Sequence, residues 1–122
     1  MEIQKNQPFL SRLRYALAGI GHGLRSERSL RMQALALVAV LIALAILRPA
    51  PLWWAMIILA SCLVLAAELF NTAIERLADH MHPDLHPQIR IVKDCAAGGV
   101  LICSAGALGV AIALIVQLWR GA

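Results

Sequence analysis

No pair of cysteines in this chain has redox or zinc-motif spacing. Cys62, Cys95 and Cys103 stand singly in or beside apolar runs, so they read as small hydrophobes and no disulfide framework is implied. A glycine-rich phosphate loop is missing as well. Gly19, Gly21 and Gly23 lack a following Gly-Lys-Ser/Thr and a preceding strand pattern, which excludes a Walker or kinase-type nucleotide cradle. Internal repeats, low-complexity tracts and linkers are absent too, and residues 1–122 are read as a single domain. A cleavable leader is not expected, because residues 8–26 do not resemble a short basic leader and the apolar runs start only beyond them. Charge is scarce, at 15% of residues, against 61% hydrophobic residues and a mean hydropathy of +0.75. Soluble globular domains have roughly 45 to 50% apolar residues, so the solvent implied here is lipid.

What is present is three apolar runs, Ala34 to Leu47, Leu52 to Ala67 and Cys95 to Val116. A bilayer core of about 30 Å needs about 20 helical residues, so the first two runs must borrow polar neighbours. Arg31 and Gln33 can snorkel at the start of the first, and the second continues through Glu68 towards Ile74. Before the spans, Phe9, Leu13, Leu17, Ile20 and Leu24 recur at steps of three or four, the pattern of an amphipathic helix on a membrane surface. The expected fold is therefore all-α and integral to the membrane. A surface helix at residues 9–24 precedes transmembrane helices at 28–47, 52–79 and 90–119. A hinge is expected between Gly21 and Ser26, with Ser26 as N-cap of the first span. Arg48-Pro49-Ala50-Pro51 reads as a tight external turn, and Trp53 and Trp54 as part of an aromatic belt. The small residues Ala96-Ala97-Gly98-Gly99 and Ser104-Ala105-Gly106 suit close helix contact.

Orientation follows from the basic residues. Lys5, Arg12, Arg14, Arg25, Arg28 and Arg31 precede the first span and Arg76, Arg90 and Lys93 lie between the second and third, whereas the opposite side carries Arg48 and Arg120. Short basic segments resist translocation, which puts the N-terminus and the acidic residues on the cytoplasmic side of the inner membrane. Topology and anionic head groups account for the net charge of +4 without nucleic acid.

The stretch Leu63-Val64-Leu65-Ala66-Ala67 runs straight into Glu68, and a carboxylate at that depth is a functional candidate by default. At about 100° per residue, Glu68, Asn71, Glu75 and Asp79 share an arc of roughly 80°, and Glu68 to Glu75 covers about 10 Å of axis. Such a stripe reaches from the membrane edge to a polyphosphate outside it. Mg²⁺ takes hard oxygen ligands, usually one or two carboxylates completed by phosphate and water, and Glu75 with Glu27 could provide them. Glu68 suits a general base facing a lipid hydroxyl, while Lys93-Asp94 adds a cation for phosphate and a further carboxylate. Phosphoryl transfer is the implied reaction, since it depends on positioning and charge stabilisation. Set against this are blander readings: a solvated helix face, an interhelical hydrogen-bond seam, Glu68 paired with an arginine, or Lys93-Asp94 as an interfacial salt bridge. Zinc at His80, His82 and His86 with Asp79 and Asp84 is disfavoured because Pro83 and Pro87 disrupt a regular ligand face.

These residues resemble the small prokaryotic diacylglycerol kinase family, which includes undecaprenol kinase. The resemblance runs from about Arg12 to Val116. Glu68-Leu69-Phe70-Asn71-Thr72-Ala73-Ile74-Glu75 followed by Asp79 is its most specific motif, supported by Ser26-Glu27-Arg28-Ser29-Leu30-Arg31 and Lys93-Asp94-Cys95-Ala96-Ala97-Gly98. The resemblance implies a homotrimeric membrane kinase with composite sites between subunits, using MgATP to phosphorylate a lipid alcohol. It assigns Glu68 as base with Asn71 beside it, Glu27 and Glu75 as Mg²⁺ ligands, and Lys93 and Asp94 as nucleotide contacts, with Tyr15 and His86 as further ones. Gln33 departs from the glutamate usual in the Gram-negative type. That departure and the motif wording resemble the undecaprenol kinase branch, so undecaprenol is the favoured acceptor and diacylglycerol the alternative. The competing classes are a small oligomeric ion or proton transporter with Glu68 as its ion site, and a non-catalytic membrane adaptor.

Overall fold

The computed structural model describes residues 7–84 and 86–121. Among them the chain forms four helices: α1, Phe9–Ser26; α2, Arg28–Leu47; α3, Pro51–Met81; and α4, Pro87–Trp119. The last three are long and apolar enough to cross a membrane. At 1.5 Å per residue, α3 with its 31 residues is roughly 46 Å long, about 16 Å more than a hydrocarbon core requires. The polar stripe from Glu68 to Asp79 lies in the second half of the helix, towards that excess length.

The break between α1 and α2 is a single residue, Glu27, in extended conformation with φ −114° and ψ 115°. Its N–H closes the last turn of α1 on the Gly23 carbonyl at 2.8 Å, and its own carbonyl accepts from Arg31 N–H at 3.2 Å to open α2. The hinge thus lies one residue beyond the expected stretch, and α1 stays helical through Gly19, Gly21 and Gly23. Ser26 does not cap α2 as expected: its hydroxyl donates back to the His22 carbonyl at 2.8 Å. The Arg31 guanidinium satisfies the end of α1 instead, donating to the carbonyls of Leu24 at 3.0 Å and Arg25 at 2.8 Å. Those last-turn carbonyls have no intrahelical donor, so the arginine ties the two helices into an elbow.

Gly23 is where the elbow meets α3. It is buried, and a Cβ there would stand 2.8 Å from a Leu69 methyl and 2.9 Å from a Leu30 methyl. Glycine lets α1 approach that closely without displacing the two leucine side chains. The apolar stripe of α1 is left uncovered, with Phe9, Leu13, Leu17 and Ile20 all exposed. An uncovered stripe of this kind is suited to a lipid surface.

At the opposite end, Arg48 stops α2 in the left-handed region, φ 50° and ψ 54°, and its N–H bonds the Leu44 carbonyl. Pro51 then starts α3 at a position where a missing N–H costs nothing. The core sits beside this hairpin: Leu44, Ile57 and Leu114 are buried, with Val40, Leu41, Trp53, Trp54 and Val110 packed around them. Trp53 and Trp54 are therefore partly core residues, while Trp119 at the same end is 89% exposed. The most extensive pairing is α3 with α4, and α2 packs on α3 and shares with α4 only the core around Leu44, Ile57 and Leu114. A groove floored by α3 separates them, with Gln33 and Leu37 on one wall and Ala107 and Leu108 on the other. No more than 17% of any span's most apolar window is buried.

Candidate active site

The polar face of α3 supplies most of the site. Glu68 is only 7% exposed, at the level where α3 leaves its apolar run. Its carboxylate oxygen Oε2 accepts from the Ser29 hydroxyl of α2 at 3.1 Å. Thr72, also buried, donates its hydroxyl to the Glu68 carbonyl at 2.9 Å, a bond back to its own helix that leaves the carboxylate alone. The arginine partner considered for Glu68 is not there: among the described residues its carboxylate meets a hydroxyl and no cation.

One turn further, the Asn71 amide donates to Glu75 Oε1 at 3.4 Å. The Asn71 carbonyl oxygen is buried with no partner among the described residues. Buried acceptors are nearly always satisfied, so an orphan beside a carboxylate marks a place for a donor or a cation. Glu27 reaches across from the α1–α2 elbow to the same level, where its Oε1 lies 3.5 Å from Arg76. The two side chains are 30% and 49% exposed, so this pair contributes little to stability and is free to rearrange.

A second cluster lies beyond the membrane end of α3. Lys93 of α4 bonds Asp79 of α3. Together with His82, Asp84, His86 and Arg90 they line a small pocket under the loop. His86 is extended, as expected before a proline, and its Nδ1 accepts from Gln88 N–H at 3.1 Å, capping α4. The His82 ring lies 5.6 Å from it. Leu85 lies outside the described residues. Asp94 is held by Arg90 on its own helix at 3.2 Å. Tyr15 is exposed on α1 and joins neither cluster through a described bond. No group of three His, Cys, Asp or Glu side chains among the described residues is arranged to hold a metal by itself.

Two participants escape a reading of the sequence: Ser29, which touches Glu68, and Arg76, which touches Glu27. Both are cross-helix contacts. Ser29 had a signal, being a hydroxyl in the first turn of one span when the next span carries a carboxylate in its apolar run.

Three spanning-length helices and a carboxylate–amide ladder towards the end of α3 define an integral membrane protein with an interfacial, acid-rich site. Residues 14–115 match the family described as prokaryotic diacylglycerol kinase. With that match over most of its length, the chain belongs to this family of membrane lipid kinases. It is 38% identical over 96 residues to a diacylglycerol kinase of Synechocystis sp., covering 78% of this chain and 55% of that protein. It is 35% identical over 88 residues to an undecaprenol kinase of Bacillus subtilis, covering 72% of each. The match thus spans little more than half the length of the first relative.

Proposed function

We propose that the protein transfers the γ-phosphoryl group of ATP to the hydroxyl of a lipid alcohol, with undecaprenol the favoured acceptor. The observation that carries this reading is the ladder on α3: Glu68 buried at the membrane edge and the Asn71–Glu75 pair one to two turns beyond it. A lipid hydroxyl meets the upper step and a polyphosphate the lower. Glu68 accepts the hydroxyl proton as the oxygen attacks phosphorus. Asn71 orients the reacting groups, its unpartnered carbonyl oxygen free to accept from one of them.

The donor set fits Mg²⁺, which favours a few hard oxygens completed by phosphate and water. Glu27 and Glu75 would hold it, and it would neutralise phosphate charge when bound. Glu27 must then exchange Arg76 for the metal, and the exposure of that pair makes the exchange inexpensive. Lys93 and Asp94 contact the nucleotide, with His86 and Tyr15 as further contacts; Lys93 and His86 already line one pocket. Tyr15 is exposed on α1 and joins neither cluster through a described bond, and the spans are sparsely buried; both features support a homotrimer with shared sites. The distribution of basic residues supports a cytoplasmic N-terminus and a cytoplasmic site at this end of the bundle.

The acceptor is the finer question. Gln33 lies on the wall of the α2–α3–α4 groove, one turn of α2 from Ser29, and there it replaces an acid with a neutral amide where a lipid tail would pass. This favours a long isoprenoid, whereas the 38% relative named for diacylglycerol favours the alternative. Purified protein supplied with MgATP and each lipid in separate detergent assays decides between them. A higher kcat/KM for undecaprenol is expected. Preference for diacylglycerol would reverse the assignment, and turnover of neither would remove the kinase reading.

A further inference from the structure

Glu68 is buried in the isolated chain, and any neighbouring subunit or lipid can only bury it further. A carboxylate in that position loses water as a hydrogen-bond partner and depends on protein donors instead. Thr72 is committed to the Glu68 carbonyl, Asn71 to Glu75, and Arg76 to Glu27. Ser29 alone among the described side chains donates to the carboxylate, and to one oxygen of it, Oε2.

We propose that Ser29 is a positioning residue for phosphoryl transfer: its hydroxyl fixes Glu68 Oε2 and turns Oε1 towards the acceptor alcohol. This rests on the reading of Glu68 as the base. In the transfer step the bond between the lipid oxygen and its proton breaks, and the proton moves to Oε1. The lipid oxygen forms a bond to the γ-phosphorus as the bond from that phosphorus to the β,γ-bridging oxygen breaks, and ADP departs. Ser29 keeps its own proton throughout. Its place also fits the task mechanically. Ser29 lies two residues after Glu27, in the first turn of α2, so the elbow clamped by Arg31 presents a candidate metal ligand and the donor to the base on one short segment. The orientation of Glu68 and the approach of Glu27 are then set together.

The test compares Ser29→Ala and Ser29→Thr with wild type and Glu68→Gln, each purified in detergent and checked for an unchanged thermal melt. A hydrogen bond to a charged group is worth about tenfold or more in an equilibrium or rate. Ser29→Ala should therefore lose about tenfold or more in kcat with KM for lipid and MgATP within about twofold, and Ser29→Thr should regain most of it. The infrared carboxylate band that disappears in Glu68→Gln should shift in Ser29→Ala and return in Ser29→Thr. Wild-type kcat in Ser29→Ala, an unmoved band, or a loss that appears only in KM would overturn the positioning role. Full activity in Glu68→Gln would instead remove the base assignment, which separates the two failures.

Discussion

The two ends of the polar stripe on α3 treat their carboxylates differently. At the membrane edge, Glu68 is buried and held by one neutral hydroxyl, while the acceptor oxygen of Asn71 nearby is left unsatisfied. Three turns further out, Asp79 is exposed and bonded to Lys93, as Asp94 is to Arg90. A cation pins a carboxylate in an ion pair, whereas the Ser29 hydroxyl engages a single oxygen of Glu68. On the proposed reading, Lys93 would leave Asp79 to meet the nucleotide, and the exposure of that pair allows it. On that reading the inner end would exchange a proton and the outer end would exchange partners.

Changes on either side of this divide should separate by size. Glu75→Ala removes a candidate metal ligand from the transitional turn. Activity at ordinary Mg²⁺ should fall about a hundredfold or more, or return only at much higher Mg²⁺; an unchanged metal titration would contradict its role. Gly23→Val affects the scaffold, because its Cβ would already stand within 3 Å of the Leu69 and Leu30 methyls. Overpacking of this kind costs typically 1–3 kcal/mol, so the thermal midpoint in detergent should drop clearly. An unaltered melt would show that α1 does not depend on that close approach. Arg90→Ala breaks an exposed pair whose side chains are 66% and 67% accessible, and stability should change by no more than about 0.5 kcal/mol. A larger loss would mean that the outer cluster is structural.

Much of this architecture is legible in the chain because hydropathy and helical period are local properties. The apolar runs mark the spans, prolines mark the turns, and a helix that must be continuous fixes the relative angles of Glu68, Asn71, Glu75 and Asp79. The contacts between helices are another matter. That Ser29 meets Glu68, or that Glu27 meets Arg76 before any metal, depends on how α2 is rotated against α3. Gly23 lying against the Leu69 and Leu30 methyls and Arg31 bonding the carbonyls of α1 are likewise contacts between helices. The Gly19-Gly21-Gly23 series suggests a loosened helix end. The structure instead keeps α1 helical to Ser26 and uses one of the three glycines for close packing.

The central claim is that a buried carboxylate at the membrane edge takes the proton of a lipid alcohol. The most direct measurement is transfer of label from γ-labelled ATP to lipid by Glu68→Gln in detergent, beside wild type and with matched insertion and melting. Labelled lipid should fall to background in the variant while the protein remains folded. Label transfer at the wild-type rate would contradict the account.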